Sequence, residues 1–294
     1  MKALALVVVL AATAHAEPVT LGLFAPSSPF PSTAARVELA SKLGDSLGKA
    51  TGAAGTGKVY ARAADFASAV RKGDINVALV DAAYLATAGG SYTVIAAAVR
   101  GGETMHGWQL VARGGKVADL KGKRVLVPNI GGRETDFVIN VLFVGEIAHD
   151  YFGKLDTAPD TTSALAALGL GKADAALVPT GVELPAGMTT VLTLAPVSGP
   201  ILVAYGSVSA DRRAALITAA TAFHGDATVG GFRAGDVEAV RSIGRRFTVA
   251  VKRGPLAVPA VRLLVGDLVE GRTLAIERTP AATFAVAPPS DGHH

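Results

Sequence analysis

Short apolar runs and helical stripes take turns along this chain. Val19–Phe24 reads as a buried strand closed by Ala25 and Pro26. Residues 27–32 make a hydroxyl-rich loop, and Ser32 is placed to cap a helix with Ala35, Leu39 and Leu43 on one stripe. A glycine-rich stretch from Gly52 to Gly57 ends that helix. Strands are predicted over 58–61, 77–80 and 92–99, and Asp65 caps a helix over 66–71 that Gly73 stops. The order then begins again. Strands are predicted over 108–112 and 124–128, with a polar turn at 119–123 between them and the loop 129–132 after them. Phe137, Val138, Val141, Leu142 and Ile147 predict a helix over 134–148. Thr161 or Thr162 caps a helix through Leu170, and 173–178 is the next strand. Alternating strands and helices predict parallel βαβ units, hence an α/β fold. Beyond residue 206 helices are predicted over 210–223, 237–243 and 258–269, a strand over 247–251, and a loose Pro/Ala-rich tail over 280–294.

Residues 70–80 match residues 168–178 at a constant offset. Each stretch leaves a helix through a glycine (Gly73, Gly171) and enters a strand ending Ala-Leu-Val, with Asn76 falling on Asp174. The match predicts two lobes of like topology. Lobe one takes 17–106 with 204–279, lobe two takes 107–203, and strands near 107–112 and 200–206 cross between them.

Composition narrows the function classes. Half of the 294 residues are hydrophobic and 18% are charged, which excludes a disordered chain. With no Cys there is no disulfide framework, zinc-thiolate site, Cys nucleophile or acylated lipoprotein N-terminus. The net charge of +4 and pI near 9.4 invite a nucleic-acid reading. No Lys/Arg stripe with interleaved aromatics supports it, so no nucleic acid is expected. Residues 1–16 run from basic Met1-Lys2 through the apolar 3–12 to Ala14-His15-Ala16, the order of a secretory signal peptide, so a periplasmic location is predicted.

Catalytic motifs are missing where they would be legible. Residues 52–58 fit G-x-x-x-x-G-K, but a helix precedes and a strand follows, the reverse of a phosphate loop. The six His show no metal-ligand spacing, and no G-x-S-x-G elbow occurs. Neither a metal nor a cofactor is expected, and the chain is read as no enzyme. Candidate chemistry lies instead in loops beyond the carboxyl ends of strands. Ser27 and Ser28 follow the first strand of lobe one; Asn129, Gly131, Gly132 and Arg133 follow a first strand in lobe two. Gly131 and Gly132 let backbone approach a ligand, and Arg133 is either a forked donor or a solvated helix start. Tyr84 lines the cleft or merely packs, and Asp81 receives a donor or caps the next helix. Thr180 is the lobe-two counterpart of Ala82, and Thr135 is the first hydroxyl after the 129–134 loop.

The stretches 66–84, 119–128 and 164–179 carry a resemblance. Through them the chain resembles the type II periplasmic solute-binding proteins, in particular the phosphonate/phosphite-binding branch of the group that includes sulfonate and transferrin-like binders. The Asp119-Leu120-Lys121-Gly122-Lys123-Arg124-Val125 turn is the most specific cue. The resemblance implies a two-lobe clamshell, each lobe a mostly parallel sheet flanked by helices. It implies a monomer that closes on a small, oxyanion-like solute and delivers it to a membrane ABC permease. In the family the loop after this strand is hydroxyl-rich; here 129–134 holds no Ser or Thr, and Glu134 adds negative charge. A sensory or adaptor clamshell without transport, or a small-acid lyase, shares the scaffold.

Overall fold

The computed structural model describes residues 17–248. The leader at 1–16, the helix expected over 258–269 and the tail over 280–294 lie outside the described residues. In chain order the elements are β1 (Val19–Phe24), α1 (Thr33–Ala50), β2 (Gly55–Val59), α2 (Ala63–Lys72), β3 (Val77–Val80), α3 (Ala82–Ala88) and β4 (Tyr92–Val99). Then come β5 (Met105–Ala112), a 3-10 turn (Val117–Leu120), β6 (Arg124–Pro128) and α4 (Glu134–Asp136), which continues as a π-helical stretch (Phe137–Leu142). They are followed by β7 (Lys154–Ala158), α5 (Thr161–Gly169), β8 (Ala175–Pro179) and β9 (Thr189–Ser198). The chain closes with β10 (Ile201–Tyr205), α6 (Ala210–Ala222), β11 (Gly231–Ala234) and α7 (Val237–Thr248).

The strands form a 6-stranded sheet, β11-β4-β10-β3-β1-β2, and a 5-stranded sheet, β7-β6-β8-β5-β9. In the first, β1 pairs in parallel with β2 and β3, while β10 runs antiparallel between β3 and β4. In the second, β6 pairs in parallel with β7 and β8, and β5 runs antiparallel between β8 and β9. The chain leaves the first sheet between β4 and β5 and returns between β9 and β10. Residues 201–205, read as a crossing, are a central strand of the first sheet.

The internal repeat has a physical basis. Gly73 and Gly171 both sit at positive φ (75° and 69°) at the end of α2 and α5. Both helix ends close in the same way, with Asp74 N donating to Ala69 O and Lys172 N donating to Ala167 O. Asn76 Oδ1 then accepts from Thr20 N at the start of β1, and Asp174 Oδ2 accepts from Arg124 N at the start of β6, both at 2.9 Å. Each half thus aligns a helix, a turn and two parallel strands by the same device.

Several boundaries move. Ser32 caps α1 as expected, accepting from Ala35 N. Asp160, rather than Thr161 or Thr162, caps α5 by accepting from Ser163 N. Asp65 is inside the first turn of α2 and pairs with Arg62 instead of capping. The helix expected over 134–148 stops at Leu142, because Val144 and Gly145 take positive φ (52° and 71°) and Gly145 N turns back to Ile139 O. Phe247 and Thr248, expected to start a strand, finish α7. The glycines of the 52–58 stretch serve close packing: a Cβ on Gly57 would lie 2.0 Å from Ala40 O, so α1 rests directly on β2.

One apolar cluster joins the two sheets. It runs from Phe24 and Phe66 through Trp108 and Phe137 to Val127. Helix α7 straddles the two, packing on α3 of one half and on the π-helical stretch of the other, where Phe247 stacks on Phe137 at 6.1 Å.

The crevice between the sheets as candidate functional site

The carboxyl ends of β1 and β3 bring Ser27 and Asp81 together. Asp81 accepts from Ser27 N at 2.8 Å and Ser27 Oγ at 2.7 Å. It stands at the N-terminal edge of α3 without a side-chain cap bond, and both donors it receives belong to Ser27. Only 2% of it is exposed, and burial pushes its pKa up to about 6 against the two Ser27 donors and the charge of Arg36. Ser28 is buried and closes a turn by donating its N–H to Ala25 O. Tyr84 packs its ring against Phe24 and Phe66, with centroids 5.0 and 5.6 Å away.

From the second sheet, β6 delivers the loop 129–132. Asn129 Oδ1 accepts from Gly131 N at 2.9 Å. Three successive N–H groups converge on one oxygen, Oε1 of Glu134: Ile130 at 3.0 Å, Gly131 at 3.1 Å and Gly132 at 2.9 Å. Gly131 and Gly132 have φ of 114° and 108°, the left-handed region that turns these N–H groups inward. A Cβ on Gly131 would meet the Tyr84 ring at 2.5 Å, so the loop and Tyr84 face each other across the crevice. Arg133 turns aside, pairing with Asp136 at 2.7 Å and lying over the Phe247 ring. Thr135 is exposed, and Thr180 is bonded to the backbone of Gly107 at the start of β5.

Further bonds span the crevice. Thr161 donates its N–H to Pro26 O at 3.1 Å and its hydroxyl to Ser27 O at 2.9 Å. Thr162 Oγ1 donates to Phe30 O at 2.8 Å, Arg36 pairs with Asp160, and Arg100 donates to Thr180 O at 3.1 Å. Between these contacts lies a cavity of about 10 Å³, room for one water, lined by Ser27, Asp81, His106, Trp108, Phe137 and Ser198 among others. Burial, then the charge of Arg100, lowers the His106 pKa to about 4, so the ring is neutral at pH 7. A larger groove of about 900 Å³ runs along one side of the crevice, past Phe30, Arg100, Leu165 and Val182.

The structure therefore assembles Ser27, Asp81, Tyr84, Asn129, Gly131 and Gly132 at one crevice, and leaves Ser28, Arg133, Thr135 and Thr180 in structural contacts or solvent. Sequence reasoning missed His106, Trp108, Phe137 and Ser198. They come from the crossing strands and the π-helical stretch, where no local pattern marks an inward-facing side chain. Glu134 was legible as a charge in the loop but not as the occupant of its N–H cradle. Among the described residues no group of three or more acids or histidines is placed to hold a metal.

No protein-family model matches the chain, and no curated protein matches it. Solved structures do. PhnD1 from Prochlorococcus marinus (MIT 9301), in complex with methylphosphonate, aligns with a TM-score of 0.63 at 11% identity over 78% of this chain and 96% of its own. The binding protein component of an ABC phosphonate transporter from Pseudomonas aeruginosa aligns with a TM-score of 0.61 at 13% identity, over 78% and 84%. A Xanthomonas citri protein bound to ATP aligns with a TM-score of 0.60 at 13% identity, over 78% and 96%. The chain has the two-lobe fold of the type II periplasmic solute-binding proteins. Phosphonate binders are among the structures that share it. In this fold the crevice lies beyond the carboxyl ends of β1, β3, β6 and β8, where open α/β sheets place their ligands.

Proposed function

We propose that the protein is an exported receptor that closes its two α/β halves on a small solute and delivers it to a membrane ABC permease. The bonds spanning the crevice carry this reading. Each joins a loop or helix end packed on one sheet to one packed on the other, so rotation of the halves breaks them together. The threonine bonds are neutral and contribute about 0.5–1.5 kcal/mol each, while the Arg100 bond and the Arg36–Asp160 pair are charged, so closure is an equilibrium set by a few polar contacts. A solute held in the closed form at a hundred times its Kd adds about 2.7 kcal/mol, enough to shift such an equilibrium. The polar groups of the cavity favour binding over conversion. Ser27 occupies both carboxylate oxygens of Asp81, and His106 bonds to the carbonyl of Glu103.

Native mass spectrometry of gently purified full chain tests the reading. A bound small molecule, lost on denaturation, is expected. Bare protein, with no melting shift from oxyanions, phosphonates, sulfonates, amino acids or amines, would overturn it. A sensory or adaptor clamshell without transport is the second reading, and the smallness of the central cavity favours it. Stimulation of ATP hydrolysis by a reconstituted permease separates the two.

A further inference from the structure

We propose that Glu134 is a tethered anion: its carboxylate takes the place in the crevice that a free oxyanion would take, so the receptor rejects small oxyanions and accepts solutes without net negative charge. The inference rests on the receptor reading and concerns which solute that crevice admits.

The cradle is a backbone one. Three consecutive N–H groups aim at Glu134 Oε1, and all three distances are within 2.9–3.1 Å. Consecutive N–H groups turned to one side by residues of positive φ form an anion-binding concavity. Bonds from such donors to a carboxylate are charge-assisted and stronger than neutral ones. Glu134 is 8% exposed, so its charge has left water for these donors. Its bonds run backward to the loop before α4, while Phe137 N, three residues on, goes to Arg133 O. The carboxylate therefore fills the loop rather than capping the helix.

The position of this loop makes the occupancy matter. Ile130 lines the central cavity, and Gly131 abuts Tyr84 of the other half. An oxyanion entering the cavity meets Asp81 in its wall, and the Ile130 N–H beside it is already taken by Glu134. Among the described residues lining the cavity there is no Lys or Arg. Arg133, the cation next to the cradle in sequence, is held by Asp136 and the Phe247 ring. His106 is a neutral ring there. Arg36 and Arg100 act on Asp81 and His106 from beyond the lining, so with the N–H cradle already filled by Glu134 the lining itself offers Asp81 as its charged group and suits a neutral or positively charged solute bearing hydrogen-bond donors.

The test uses the full chain, isothermal calorimetry and thermal shift, with methylphosphonate, inorganic phosphate and sulfate as probes. The wild type is expected to bind none of them at millimolar concentration. Glu134→Ala is expected to gain affinity at least about tenfold and to recover melting temperature when an oxyanion refills the cradle. Micromolar oxyanion binding by the wild type would overturn the proposal without any variant. So would a folded Glu134→Ala that no oxyanion stabilises. If Glu134→Ala does not fold, Glu134→Gln replaces it: removing the charge alone must raise oxyanion affinity, and unchanged affinity overturns the proposal. A parallel screen of small amines and amino alcohols separates the two claims. Oxyanion rescue of the variant with no wild-type solute sinks the receptor reading alone; tight wild-type phosphate binding sinks the tethered anion alone.

Discussion

Replacing Asp81 by Asn should abolish a specific part of the pH dependence of stability. Asp81 is 2% exposed and its pKa rises from 3.8 to about 6, chiefly through burial. A carboxyl with a raised pKa in the folded state binds its proton more tightly folded than unfolded. The stability it contributes is full below the unfolded value near 3.8 and is lost as pH rises through about 6. A shift of about two pKa units corresponds to about 3 kcal/mol, of which about 2 kcal/mol falls between pH 4 and pH 7. Urea unfolding of the wild type and Asp81→Asn at half-unit pH steps reads the difference directly. The variant's stability relative to the wild type should improve by about 2 kcal/mol from pH 4 to pH 7. The amide keeps one acceptor for Ser27, so a constant offset from the lost second bond is expected at every pH. Parallel curves for the two proteins would refute the assignment of a buried, proton-retaining carboxyl to the crevice.

Gly131→Ala should destabilise the closed form by about 1–3 kcal/mol from its left-handed backbone and by more from the Tyr84 ring, read as a lowered melting temperature. Thr161→Val removes the hydroxyl bond to Ser27 O and should weaken closure by about 1 kcal/mol, read as faster amide exchange at residues 161–163. Asn76→Ala and Asp174→Ala should each cost about 1 kcal/mol and add in the double variant, because each anchors a strand of a different sheet.

The strands that the sequence reading missed or misplaced share one property. β7, β9 and β11 were not foreseen, and β2 was displaced toward 58–61; these four are the edges of the two sheets. An edge strand is covered on fewer sides, so its sequence lacks the apolar run that marks a central one. β9 shows this most plainly, with Thr189, Thr190, Thr193 and Ala195 exposed among its apolar positions. The central strands β1, β3, β8 and β10 are apolar along almost their whole length and were found. The repeat was legible because a helix-ending glycine and, three residues on, the Asn or Asp that anchors the neighbouring parallel strand stand close together in the sequence. The crevice was half legible for the same reason. Ser27, Asp81 and Gly131 sit where chain order puts strand ends, whereas His106 and Ser198 depend on how β5 and β9 turn at the crossings.

The absence of Cys makes one further measurement clean. Ser41→Cys on α1 and Lys172→Cys after α5 place one spin label on an exposed position of each half. Distances between the labels are then read by pulsed electron resonance, first after stripping the protein of small molecules and again after returning the co-purified fraction. The clamshell account predicts a broad or two-peaked distribution that collapses to a single distance when the solute returns. One unchanged distance under both conditions, in protein that demonstrably holds a solute, would contradict closure of the two halves as the binding event.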